Sequence, residues 1–367
     1  MARLAVTRFR CYASVRLTPD ARPVVLAGPN GAGKTNLLEA VSLLSPGRGL
    51  RRAGLAEMDR QGDVGGWGVA ATIATPDGPV EIGTGREPDG ERRVVRINGG
   101  PARGQTALAE FVSALWLTPD MDRLFREGPS ARRRFLDRMV FGYDPAHAGR
   151  VTAYEHAMRE RGRLLADGNS DDGWLSALEE TMAARGVAIA AARLEMVQRL
   201  TRALAGSDGP FPGVALSVDG MVEGWLGGGP ALAAEDRLKA ELRTARRRDT
   251  QSGATAVGPH RSDLVARHLA KDMPADLCST GEQKAMLIAI VLAEARLQAA
   301  ERGVAPLLLL DEVVAHLDEE RREALFDEIC GLPGQTWMTG TDAALFAPLG
   351  NRAQHFSVAD ATISEFA

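Results

Sequence analysis

Val24-Val25-Leu26-Ala27-Gly28-Pro29-Asn30-Gly31-Ala32-Gly33-Lys34-Thr35 begins with four apolar residues, turns on three glycines and ends on a lysine and a hydroxyl. Asn36-Leu37-Leu38-Glu39-Ala40-Val41 follows with helical spacing, so the segment reads as strand, loop, helix. Residues 28–35 satisfy G-x4-G-K-[ST], the pattern of a phosphate-binding loop. Its glycines let backbone N–H groups curl around phosphate oxygens, and the helix N-terminus adds partial positive charge. Lys34 reaches the β- and γ-phosphates, and the Thr35 hydroxyl can bind Mg²⁺. The competing reading is an ordinary glycine-rich turn, but chance supplies the full pattern in only roughly 0.4% of chains with this composition. Gly28, Pro29, Asn30, Gly31, Ala32, Gly33, Lys34, Thr35 and Asn36 are therefore expected to hold a nucleotide, with ATP and Mg²⁺ as the ligands.

Two further stretches fit this loop. Leu307-Leu308-Leu309-Leu310-Asp311-Glu312 is an apolar run ending in two acids. A buried parallel strand that delivers an acid to its carboxyl edge places it where open α/β sheets bind ligands. Asp311 is expected to hold Mg²⁺, directly or through water, and Glu312 to orient and deprotonate an attacking water. A surface acidic turn is the alternative, and the phosphate loop argues against it. Ser279-Thr280-Gly281-Glu282-Gln283-Lys284 opens an apolar helix at 285–297 and offers a second anion site, separate from the first, at a helix N-terminus with free backbone donors. Taken alone it reads first as a common helix cap, and its place before the acidic strand favours the anion site.

Along the rest of the chain, β-branched runs at 69–75, 80–84 and 94–97 alternate with Pro-Asp-Gly and Asn-Gly-Gly turns, which predicts antiparallel hairpins. From about 145 to 250, Leu175, Leu178, Met182, Ile189, Val197 and Leu204 recur at helical intervals, strand signals are nearly absent, and Gly/Pro breaks fall near 206–213 and 227–230. The heptads are too irregular for a long coiled coil. α/β character returns after Gly258, with strands expected at 307–310 and 335–338. The expected architecture is an α/β head in two parts, residues 1–145 and 255–367, interrupted by a helical arm at 146–254.

The order of phosphate loop, Ser-Thr-Gly-Glu-Gln and acidic strand end resembles the ABC-type P-loop ATPase heads. Val313-Val314-Ala315-His316-Leu317-Asp318 looks like their D-loop, carrying His316, Leu317 and Asp318. Adding FRCY (9–12), LSPGRGLRRA (44–53), LTPDMDRLFREGPSARRRFLD (117–137) and GPHRSDL (258–264), the chain resembles the RecF family of bacterial recombination-mediator ATPases. That resemblance implies an ATP-dependent homodimer. Ser279, Thr280, Gly281, Glu282 and Gln283 of one chain would face the γ-phosphate held at Gly28 to Thr35 of the other, and slow hydrolysis would reopen the pair. It also implies binding to double-stranded DNA and single-strand/double-strand junctions, and help in placing RecA on gaps through RecR and RecO. Another chromosome-maintenance ATPase of the SMC type is the near alternative. Two departures stand out. No glutamine follows Trp116 in the TPD region, Gln105 being the nearest candidate, and Thr339-Gly340-Thr341-Asp342 lacks the switch histidine of transporter ATPases. These absences argue against a transporter subunit, and no extra acidic metal cluster suggests a nuclease. Glu312 argues against a passive nucleotide-binding scaffold.

Lys+Arg number 44 against Asp+Glu 48, a net charge of -4 that at first argues against nucleic acid. The average hides segregation, because residues 1–150 hold 22 cations and 16 acids whereas 151–367 hold 22 and 32. Arginines cluster at Arg48, Arg51 and Arg52, at Arg92, Arg93 and Arg96, at Arg132, Arg133 and Arg134, and at Arg243 to Arg248. Guanidinium groups suit phosphate, and with few aromatics nearby the backbone is the expected target. Arg243 to Arg248 could instead pair with Glu235, Asp236 and Glu241 along their own helix. Three scattered cysteines and the lack of a long apolar run or leader-like N-terminus fit a cytoplasmic protein with no membrane partner.

Overall fold

The computed structural model describes residues 1–63, 65–168, 171–205, 209–303 and 305–366, leaving aside the side chain of His316. The chain divides into two compact units, Met1–Asp122 with Asp208–Phe211 and Leu287–Ala367, and Arg123–Ser207 with Pro212–Met286.

In the first unit, β1 (Arg3–Phe9), β2 (Tyr12–Leu17), β4 (Trp67–Thr75), β5 (Gly78–Arg86), β6 (Arg93–Ile97) and β7 (Gly100–Pro101) form an antiparallel sheet in the order β2-β1-β4-β5-β6-β7. Alternation puts Leu4, Val6, Val69, Ile73, Ile82 and Val95 on its buried face. The second sheet has the order β15-β14-β3-β13-β12-β8, built from β3 (Val24–Ala27), β8 (Ala114–Leu117), β12 (Leu307–Leu310), β13 (Thr336–Gly340), β14 (Gln354–Ala359) and β15 (Thr362–Phe366). Every neighbouring pair is parallel except β14 with β15. β3, β8, β12 and β13 are buried along their whole length, which is why the first three read as unbroken apolar runs rather than alternating ones, whereas β13 carries Thr336 and Thr339. Both sheets contribute to one hydrophobic cluster, and Leu37, Leu38, Ala40 and Val41 of α1 (Lys34–Ser42) lie fully buried within it.

The second unit holds α2 (Pro129–Tyr143), α3 (Ala146–Ala166), α4 (Asp172–Ala205), α5 (Met221–Gly228), α6 (Ala231–Ser252) and a small antiparallel sheet, β11-β10-β9. In that sheet β9 is Val214–Asp219, β10 is Asp263–His268 and β11 is Met273–Pro274. β9 corrects the expectation that 145–250 is nearly free of strands. Its Val214 and Leu216 alternate inward, Gly213 and Gly220 bracket it, and it pairs with β10 from Asp219↔Asp263 to Val214↔His268. The partner strand lies beyond the helical stretch, so no local pattern reveals the pairing. That pairing, and the packing of α2 on α3, α4 and β10, extend the compact unit beyond 146–254 on both sides. α7 (Thr280–Arg302) starts in the second unit and continues into the first, to which α8 (Glu319–Gly331) belongs.

Buried ions organise the second unit. Arg161, fully buried, donates to Glu179 at 3.0 Å, Asp249 at 2.7 Å and the Leu242 carbonyl at 2.7 Å. Arg246 joins the network through Glu179 and Asp172, and Arg243 lies 3.8 Å from Asp172. These arginines therefore pair across to α4 rather than with Glu235, Asp236 and Glu241 of their own helix. Asp137 is gripped by both arms of Arg193 at 2.8 Å and by His147 at 2.9 Å. Burial opposes its ionisation, but Arg193 and His147 outweigh that and hold its pKa down to about 2. GPHRSDL closes over this centre. The Pro259 carbonyl accepts from Arg193, the Ser262 carbonyl from Arg133, and Asp263 binds Arg132. His260 lies between the Tyr154 hydroxyl at 2.7 Å and the Thr255 carbonyl at 2.9 Å, and burial lowers its pKa to about 4.

Two outcomes follow from these networks. Arg161→Ala leaves Asp249 and Glu179 buried with too little cation, and urea unfolding should show a loss of about 3–5 kcal/mol, whereas Arg163→Ala at an exposed pair should cost about 1 kcal/mol or less. His260 takes its proton near pH 4 when folded and near 6.5 when unfolded. The folded state therefore loses stability as pH falls from 6.5 to 4, and His260→Gln should flatten that part of the stability profile.

Candidate functional site: a phosphate loop faced by two carboxylates

In the parallel sheet β13 lies between β3 and β12, and all three point their carboxyl ends the same way. Register puts Ala27 beside Gly340, and Leu310 beside Met338, so the phosphate loop and Asp311 leave the sheet on either side of Thr339. The loop is shaped by close approach. A Cβ on Gly28 would lie 2.0 Å from the Val358 carbonyl oxygen. Gly33 has φ +114°, and a Cβ there would meet the Tyr12 hydroxyl at 2.7 Å and Cys11 Sγ at 2.9 Å. The Tyr12 hydroxyl donates to the Gly33 carbonyl at 3.0 Å, which ties the antiparallel sheet to the loop.

The acids arrive as expected. Thr35 Oγ1 donates to Asp311 Oδ1 at 3.0 Å, and Asp311 is almost wholly buried. Lys34 Nζ donates to the Gly28 carbonyl at 2.7 Å and the Pro29 carbonyl at 3.1 Å, and it lies 3.4 Å from Glu312 Oε1. Lys34, Thr35, Asp311 and Glu312 are thus brought to one point, although Asp311 lies 276 residues beyond Thr35. Asn36 is engaged through its side chain, donating to Cys11 Sγ at 3.1 Å and accepting from Arg51 at 2.7 Å.

Sequence reasoning missed Thr339. Its hydroxyl, fully buried, donates to Asp311 Oδ1 at 2.7 Å and accepts the Glu312 backbone N–H at 3.0 Å. The expected strand 335–338 stopped one residue short of it, and β13 in fact runs to Gly340. Glu39 was missed as well. This fully buried acid takes both arms of Arg10, at 2.8 and 2.9 Å, and Arg51 at 3.1 Å, fixing the helix that carries Lys34 and Thr35.

The serine-glycine element lies in the second unit. Ser279 donates through its N–H and hydroxyl to Glu282 at 2.9 and 2.8 Å, while the Glu282 N–H returns to Ser279 Oγ at 3.4 Å. This is a reciprocal cap, so the helix start is not a set of wholly free donors. Lys271, and after it the two Ser279 donors, pull the Glu282 pKa down to about 2. Ser279, Thr280 and Gly281 are exposed. Gln283 is not. It is fully buried and donates to the Cys278 carbonyl at 2.8 Å and the Asp276 carbonyl at 3.4 Å, supporting the turn rather than facing a ligand. In the stretch read as a D-loop, Leu317 is buried and Asp318 caps α8 by accepting the Arg321 N–H at 2.8 Å, whereas the side chain of His316 is outside the described residues.

Several arginines expected to meet DNA are committed inside the protein. Arg132 spends its guanidinium on Asp263 and on the carbonyls of Leu124, Phe125 and Glu127, and Arg133 donates to the Ser262 carbonyl at 2.6 Å. Arg93 holds the carbonyls of Leu43, Ser45 and Gly47 just beyond α1, and burial lowers its pKa to about 10. It also takes up Gln105 at 2.8 Å, so the glutamine nearest in sequence serves Arg93. Arg51 is bound to Glu39 and Asn36. Arg48, Arg52, Arg92, Arg96 and Arg134 are exposed, as is Arg51 despite its pairing, and Arg134 has Ser130 Oγ as a partner.

Residues 1–336 match the family described as RecF/RecN/SMC N terminal domain. The chain is 52% identical to the DNA replication and repair protein RecF of Rhizobium rhizogenes over 100% of this chain and 98% of that one, and 51% identical to the RecF of Rhizobium meliloti over 99% and 98%. A solved structure of the recombination mediator protein RecF with ATPrS superposes with a TM-score of 0.86 at 22% identity, covering 100% of this chain and 98% of that one. An SMC head bound to the C-terminal winged-helix domain of ScpA gives 0.52 at 16%, covering 100% and 96%. With two sheets around the phosphate-loop helix, the fold is that of an ABC-type ATPase head carrying an inserted, largely helical unit, and the chain belongs to the RecF family of DNA replication and repair proteins.

Proposed function

We propose that the chain is a slow, DNA-coupled ATPase of recombinational repair, which closes as a homodimer on ATP and reopens on hydrolysis. The observation that carries this reading is the meeting of Lys34, Thr35, Asp311 and Glu312 at the carboxyl ends of β3 and β12, on either side of β13. The Gly28–Lys34 backbone and the Lys34 ammonium would take the phosphates, exchanging the Gly28 and Pro29 carbonyls for phosphate oxygens.

The residues also suit Mg²⁺. Among the described residues no group of three or more His, Cys, Asp or Glu forms a metal cage. A hydroxyl and a carboxylate 3.0 Å apart are the sparse, hard-oxygen set that Mg²⁺ uses when water and phosphate supply its other ligands. Thr35 and Asp311 would hold it, and its charge would offset that developing on the phosphates. Glu312 would accept a proton from the water whose oxygen attacks the γ-phosphorus, as the bond to ADP breaks. Ser279 and Gly281, exposed at the start of α7, would face that phosphate from the second chain.

The DNA proposal rests on the exposed arginines and not on net charge. Arg48, Arg52 and Arg134 from each of two chains would contact about six phosphates of double-stranded DNA or a gap junction, which sets the slope of log K against log salt near about -5. RecR is the proposed docking partner, with RecO and RecA acting in the same pathway in the cytoplasm.

Nucleotide binding, turnover, association and DNA affinity each test this reading. Lys34→Ala should lose ATP binding in equilibrium dialysis, and Glu312→Gln should bind ATP yet reduce turnover by about 10²-fold or more and accumulate as dimer in sedimentation. Ser279→Arg should keep monomer ATP affinity and fail to dimerise; normal dimerisation would refute the two-chain site. Anisotropy on a gapped duplex with ATP should give the stated salt slope. Arg132→Ala should leave that slope unchanged while lowering the unfolding midpoint, because its guanidinium is already spent on Asp263 and three carbonyls.

A further inference from the structure

The residue after Asp311 has a backbone that needs holding. Glu312 has φ +53°, a left-handed conformation that costs a non-glycine L residue energy and persists only where its surroundings impose it. One contact that imposes it is the hydrogen bond from the Glu312 N–H to Thr339 Oγ1 at 3.0 Å. The same oxygen uses its single proton on Asp311 Oδ1 at 2.7 Å, and Asp311 Oδ1 also receives Thr35 Oγ1. Thr339 is fully buried at the end of β13, so water does not substitute for the hydroxyl. A single side chain thus fixes the orientation of one acid's carboxylate and the peptide of the next acid.

We propose that Thr339 is a positioning residue for hydrolysis, acting through Asp311 and Glu312. It orders the Asp311 carboxylate toward Thr35 and holds the Glu312 peptide in the left-handed turn that aims its carboxylate at the nucleotide side, where Lys34 lies 3.4 Å away. This inference rests on the proposed roles of Asp311 and Glu312 in ATP hydrolysis. Thr339 touches neither phosphate nor water in this account, so its removal alters turnover rather than nucleotide affinity. Misplacing a reacting group by about 1 Å costs on the order of 10²-fold in rate.

The test is ATP turnover and ATP affinity of the full chain with Thr339→Val, Thr339→Ser and Glu312→Gln beside the wild type. Valine keeps the shape and removes the hydroxyl, whereas serine keeps the hydroxyl and loses a methyl. The expected result is a kcat about 10²-fold down for valine with ATP affinity within about threefold of wild type, and a serine variant within about threefold in both. A valine variant that turns over like wild type overturns the inference. So does one that loses ATP affinity in parallel with turnover and is not rescued by serine, since that outcome marks a residue needed only for packing. If wild type and Glu312→Gln hydrolyse ATP equally, the hydrolysis reading itself fails and this inference falls with it. A deficit in Glu312→Gln without one in Thr339→Val removes the inference alone.

Discussion

The Asp311 carboxylate is the point on which the first unit depends. One oxygen receives the hydroxyl of Thr35 from the phosphate-loop helix and that of Thr339 from the adjoining strand, and the Asp311 N–H donates to the Leu117 carbonyl at 2.9 Å. Three strands and a helix, far apart in the chain, are held in register at one nearly buried acid. An acid in that position would be costly without donors, and here the hydroxyls supply them. The same geometry leaves a carboxylate and an alcohol side by side, which is the chemistry a magnesium-nucleotide site needs.

A comparable economy governs the second unit, with larger charges. Arg161 and Arg193 are buried arginines surrounded by Glu179, Asp249 and Asp137, and each also satisfies a backbone carbonyl. Such networks add little net stability over an apolar core, but losing one member is costly. They also account for many of the arginines and acids whose numbers nearly cancel in the composition. Part of the chain's arginine content is thus internal architecture, while others, such as Arg48, Arg52, Arg92, Arg96 and Arg134, stay exposed.

The parts of the site that the sequence disclosed were those where backbone chemistry demands a local pattern. Gly28, Gly33, Lys34 and Thr35 sit within eight residues, and Leu307 to Glu312 shows a buried strand and its acidic end in a single run. Both strand ends lie where they were expected. Thr339 escaped because a threonine at a strand end has no distinguishing neighbour, and its role appears only when β12 and β13 are aligned. β9 escaped for a related reason, its partner being some fifty residues away beyond two helices. The partners of Arg51, Arg132 and Arg133 were hidden for a different reason. Runs such as Arg132-Arg133-Arg134 mark where guanidinium groups are but not which acids and carbonyls fold against them, and Asp263 lies 131 residues from Arg132.

The most direct test of the central claim compares ATP affinity with and without Mg²⁺ in wild type and in Asp311→Asn. Asparagine keeps the oxygen that accepts from Thr35 and Thr339 but removes the charge that would hold the metal. The account predicts that Mg²⁺ tightens ATP binding in wild type and leaves the variant unchanged, with both folding alike by circular dichroism. An equal gain from Mg²⁺ in the two proteins would contradict it.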